Sequence, residues 1–123
     1  MSRAFQIMQG GFSAVGSIAI TGGNSINAAV SAAGTTQGTA TALGAAFNII
    51  TTAALNSGVI LPQGQPGDRI MVFNGGANQC LVYPATSAKL NGLATNAGMV
   101  LATNTLVEFI QLTTTQYFVN LSA

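Results

Sequence analysis

The sequence predicts an all-β protein: one β-sandwich or jelly-roll-like domain with a Gly/Ala/Ser/Thr-rich N-terminal segment. Two observations lead to that class. From Ala46 onward, β-branched and aromatic residues alternate with polar ones, and Gly, Pro and Asn interrupt them at short intervals, the pattern of short strands joined by tight turns. The chain also holds 123 residues, 49% of them hydrophobic, which suffices for one core without disulfides or metal.

At the N-terminus, Arg3, Phe5, Ile7, Met8 and Phe12 place large side chains in a Gly/Gln context. Residues 1–12 therefore read as an arm that binds by adding to a partner's sheet, with the β domain over 13–123, or equally as a first strand of the domain's own sheet. Residues 10–45 are dominated by Gly, Ala, Ser and Thr and predict extended chain and loops ordered by their neighbours. A strand is expected over 14–20. A short helix over 26–33 is conceivable, with Asn24 or Ser25 capping it and Gly34 ending it.

The strand pattern is strongest over 46–121, and the expected strands are 47–52, 58–61, 69–73, 79–83, 106–112 and 116–121. In Leu106-Val107-Glu108-Phe109-Ile110-Gln111, alternation puts Val107 and Phe109 on the core face and Glu108 opposite. Pro62-Gln63-Gly64-Gln65-Pro66-Gly67-Asp68 reads as a double turn. Asn74-Gly75-Gly76-Ala77-Asn78 is expected to close a hairpin between the Arg69 and Cys80 strands. Asn91-Gly92 marks a further turn, and Thr113-Thr114-Thr115 separates the last two strands as a C-terminal hairpin.

Charge is scarce. Asp, Glu, Lys and Arg make up 4% of the chain, against roughly 25% in an average globular protein. The charged residues are Arg3, Asp68, Arg69, Lys89 and Glu108. So little repulsion between free copies suits a surface that is covered in an assembly. A net charge of +1 without a basic cluster argues against nucleic acid as a partner. Every apolar run is broken before the ~20 residues a spanning helix needs, so no transmembrane helix is expected. The first residues lack the apolar core of a signal peptide.

Catalytic chemistry finds few residues to use. With no His and one Cys, the usual zinc or copper ligand sets are out of reach, and neither a metal nor a cofactor is expected. The Ser–His–Asp arrangement is equally unavailable. Asp68 and Glu108 are the only carboxylates for an acid/base pair, but Asp68 fits better as a turn residue bonding its own backbone or Arg69. The Gly pairs lack the Gly-Lys-Ser/Thr ending of a phosphate loop. Cys80, in an apolar strand, reads as a small buried hydrophobe. Tyr83 and Tyr117 could stack on a sugar, yet their apolar neighbours favour packing. No enzymatic activity is expected.

Residues 58–119 resemble a β module of tailed-bacteriophage structural proteins. The likeness rests on Gly67-Asp68-Arg69-Ile70-Met71-Val72-Phe73-Asn74, Leu81-Val82-Tyr83-Pro84, Leu90-Asn91-Gly92-Leu93, Val107-Glu108-Phe109 and Thr114-Thr115-Gln116-Tyr117. The match in size is to the small capsid decoration, or cement, proteins of these phages. That resemblance implies a homotrimer on the outer surface of the virion head, with the major capsid protein as partner and shell stabilisation as function. In this setting Arg3, Phe5, Ile7, Met8 and Phe12 are the candidate capsid contacts. Tyr83, Leu90, Leu93, Phe109 and Tyr117 are the candidates for the subunit interface or the core.

The competing expectation is a receptor- or glycan-binding module of a tail fibre or spike. Small size, an expected start at Met1, and no fibrous repeat or coiled-coil heptad favour decoration. A bacterial surface or pilus subunit fits less well, given the weak leader and the missing disulfide.

Overall fold

The computed structural model describes residues 25–121. The expected arm over 1–12, with Arg3, Phe5, Ile7, Met8 and Phe12, and the expected strand over 14–20 lie outside the described residues.

The described chain is all-β. Ten strands follow one another: β1 (Ile26–Ser31), β2 (Thr41–Ala42), β3 (Phe47–Thr52), β4 (Gly58–Ile60), β5 (Arg69–Asn74), β6 (Cys80–Tyr83), β7 (Lys89–Leu90), β8 (Met99–Leu101), β9 (Thr105–Thr113) and β10 (Gln116–Leu121). They form a six-stranded sheet in the order β1-β3-β5-β9-β10-β7 and a four-stranded sheet in the order β2-β4-β6-β8. The only helical element among the described residues is one 3₁₀ turn, Gln37–Thr39.

The chain alternates between the sheets as it coils. β1, β3 and β5 lie parallel in the larger sheet, and β2, β4 and β6 lie parallel in the smaller one. This is a solenoid-like arrangement. The last quarter turns back, with β8 antiparallel to β6 and β9 antiparallel to β5, and the β9–β10 hairpin closes the chain as expected. All-β character thus agrees with the sequence, while the parallel coils differ from the antiparallel connections of a jelly roll.

One hydrophobic core joins the sheets. Val30, Ile50, Val72, Val107, Phe109 and Tyr117 come from the larger sheet, and Val59, Cys80, Val82 and Leu101 from the smaller, all buried in a single cluster. Val107 and Phe109 face inward, as alternation predicts.

Two local expectations are corrected. The segment 26–33 holds strand β1 rather than a helix. Its backbone pairs with β3, with Ile26 beside Phe47 and Val30 beside Ile50, and that pairing buries Val30. Ala-rich sequence expresses helix propensity only weakly when a neighbouring strand offers both hydrogen bonds and burial.

The second correction concerns 74–78, which forms a corner between sheets and not a hairpin, since β5 and β6 belong to different sheets. The fully buried Asn74 amide directs the chain there. Its Nδ2 donates to the carbonyls of Asn78 and Leu101, each at 3.0 Å, and its Oδ1 accepts from the Gly76 N–H at 2.9 Å. Those bonds satisfy backbone groups that a two-stranded ladder would have paired. Elsewhere, Asn56, Asn91, Asn96 and Asn104 adopt positive φ at corners and turns, a conformation Asn tolerates better than most residues.

Candidate interaction surface

The candidate residues named for core or interface separate cleanly. Tyr83, Leu90, Phe109 and Tyr117 are buried, whereas Leu93 is 42% exposed. The Tyr83 hydroxyl donates to the Thr35 carbonyl at 3.2 Å. Its ring lies so close to Gly58 and Gly98 that a Cβ on either would sit 2.7 or 2.9 Å from it. The Tyr117 hydroxyl donates to the Pro62 carbonyl at 3.0 Å. Neither ring is presented for stacking on a sugar. Leu90 and Leu93 meet beside Met99, Val119 and Leu121 around an apolar hollow of about 380 Å³ where the core opens between the sheets.

The polar candidates are occupied locally. The Asp68 carboxylate accepts the Gln65 N–H at 2.9 Å while the Asp68 N–H returns to the Gln65 carbonyl, so the side chain closes its own turn, with Gly67 at φ +95° inside it. Arg69 pairs with Glu108 across β5 and β9 at 3.4 Å. The two carboxylates are thus held by different partners. Among the described residues, no cluster of three or more His, Cys, Asp or Glu is placed to hold a metal ion. Burial raises the Cys80 thiol to about 11, which leaves it a poor nucleophile at neutral pH. Burial also raises Tyr117; the backbone at Ala85 opposes that shift and the Asp68 charge adds to it.

A small cleft of about 260 Å³ lies between Gly64, Asp68, Gln111 and Tyr117. Gln111 is buried there, and its Nε2 has no hydrogen-bond partner.

The feature that sequence reading missed is the outer face of the six-stranded sheet. With Val107 and Phe109 inward, Glu108 shares the outer face of β9 with Leu106, Ile110 and Leu112. The cross-strand register assembles them into apolar rows. Ile26 lies beside Phe47 and Phe47 beside Met71; Ile49 lies beside Phe73 and Phe73 beside Leu106; Ile110 lies beside Phe118. None of these residues belongs to the core, and Ile26, Leu112 and Phe118 are 59%, 52% and 48% exposed.

The charged residues on this face are Arg69, Glu108 and, at the β7 edge beside Gln116, Lys89; Arg69 and Glu108 stand among the apolar rows. These two border a shallow depression of about 430 Å³ with Ile26, Phe47 and Met71. The signal was present in the sequence: Phe47-Asn48-Ile49-Ile50 and Ile70-Met71-Val72-Phe73 are near-continuous apolar runs, the mark of strands meant to be covered on both faces.

Comparison of the chain with protein-family models and with curated proteins finds no match in either.

Proposed function

We propose that this chain is a structural protein of a phage virion, a capsid decoration or cement protein that binds the outer surface of the head as a trimer and stabilises the shell. The observation that carries this reading is the apolar outer face of the larger sheet on a chain with 4% charged residues. A contiguous apolar patch of several hundred Å² commonly marks an interaction site, and a free monomer ordinarily intersperses charge over its surface. A protein that spends its working life within a shell has no such need. In this reading the two facing sheets form a sandwich-like body, and the phage-like motifs of residues 58–119 lie on its strands and corners.

Cementing asks only for contacts that bridge neighbouring shell subunits. Several weak contacts from one trimer add through effective concentration, so no single contact must be tight. Few charges also make such contacts insensitive to salt. The tail-fibre reading is weaker because Tyr83 and Tyr117, its candidate sugar platforms, are internal.

The test is to offer the purified chain to undecorated heads and, separately, to host cells. Saturable retention by heads at fixed stoichiometry is expected. Retention by cells alone would overturn the proposal in favour of a receptor-binding module.

A further inference from the structure

We infer that the outer face of the six-stranded sheet is the surface through which copies of this chain pack on one another. The inference deepens the assembly reading above by naming the face and its occupant.

Area is the first argument. The apolar rows run across β1, β3, β5, β9 and β10. Strands about 4.8 Å apart, rising about 3.3 Å per residue, make this face roughly 20 Å by 20 Å, about 400–500 Å² in projection and more as accessible surface. Stable interfaces take about 600–1,000 Å² from each partner. The face therefore supplies most of one interface without help from loops.

Charge selects the occupant. Arg69 and Glu108 neutralise one another at 3.4 Å, so the rows across β1, β3, β5, β9 and β10 carry no net charge, and Lys89 stands outside them at the β7 edge beside Gln116. A charged partner would have to bury its own ions against Leu, Ile and Phe, at a cost of several kcal/mol each. A second copy, with 4% of its residues charged, offers this face neutral surface with few ions to bury.

The rim is consistent with this. Asn120 pairs with Glu108 in register, and its exposed amide, together with Thr51, edges the apolar rows with hydrogen-bonding groups. Interfaces with an apolar centre and a polar rim have this composition.

The test uses the full chain without heads. Sedimentation equilibrium over a wide concentration range should give a mass that is a multiple of the chain mass. Phe118→Lys places a charge in the rows and should raise the dissociation midpoint at least tenfold. Phe118→Thr, which keeps a strand-compatible side chain, should raise it less. Leu55→Lys alters an apolar residue that is 64% exposed but lies in the β3–β4 turn, and it should leave the midpoint unchanged. Circular dichroism establishes that each variant is folded.

A wild-type chain that stays monomeric overturns the inference, as does a folded Phe118→Lys that associates normally. If the wild type is a monomer that binds heads, and Phe118→Lys loses head binding, the face belongs to the shell protein and self-packing is refuted while the capsid address stands. Self-association that tracks Phe118 in a chain ignoring heads supports the inference and refutes the capsid address instead.

Discussion

Replacing Asn74 with Ala tests how the coil turns its corner. The wild-type amide makes three hydrogen bonds of 2.9–3.0 Å in a site with no exposure. The substitution leaves the buried Gly76 N–H without its acceptor, at about 1–3 kcal/mol, and removes two bonds to carbonyls worth about 1 kcal/mol each. A loss of about 3–5 kcal/mol follows, a large share of a small domain's stability. Gln111→Met is the comparison. Gln111 is as deeply buried, but its Nε2 has no partner, so an apolar side chain of similar length should fall within about 1 kcal/mol of wild type, on either side. Urea unfolding followed by circular dichroism gives both values, provided the slope with denaturant is unchanged. If Asn74→Ala costs under about 1 kcal/mol, or no more than Gln111→Met, the amide does not hold the corner.

Other predictions concern the core and its titration. Gly58→Ala and Gly98→Ala each push a methyl into the Tyr83 ring, which the opposite glycine and the Thr35 carbonyl hold in place, so each should cost about 1–3 kcal/mol in the same assay. Combining Gly98→Ala with Tyr83→Leu should recover part of that loss. Above pH 9 stability should decline. The folded chain holds the Cys80 proton more tightly than an unfolded chain with the ordinary value of 9.0, so the contribution is complete below 9 and is lost as pH rises towards 11; Tyr117 shifts in the same sense. Cys80→Ala should flatten the first part of that decline in a pH series of urea midpoints. A thiol reagent at pH 8 should label native protein slowly and urea-unfolded protein fast.

Much of the strand content was legible from residue pattern alone. Phe47–Thr52 and Gln116–Leu121 have the expected bounds, and β4, β5, β6 and β9 differ by a residue or so at their ends. Alternation in Val107-Glu108-Phe109 located the core face. What pattern could not supply was which strand pairs with which. Asn74-Gly75-Gly76-Ala77-Asn78 has hairpin composition, but its geometry is set by a buried amide bonding to Leu101, a residue far along the chain.

The strands β1, β2, β7 and β8 were missed for a related reason. Ile26–Ser31 carries two alanines and a weak periodicity, while Thr41–Ala42, Lys89–Leu90 and Met99–Leu101 are too short to show one. Their ladders with β3, β4, β10 and β6 define them. The apolar outer face escaped notice because Glu108 stood for the whole face in the sequence, whereas cross-strand register collects its hydrophobic neighbours from several segments.

In the function proposed above, this chain works by assembling on a phage head. Cryo-electron microscopy of undecorated heads incubated with the purified chain tests it most directly. The account predicts discrete trimeric density on the outer surface, repeated at three-fold or quasi-three-fold positions at full occupancy. Heads that emerge bare at saturating protein would contradict it.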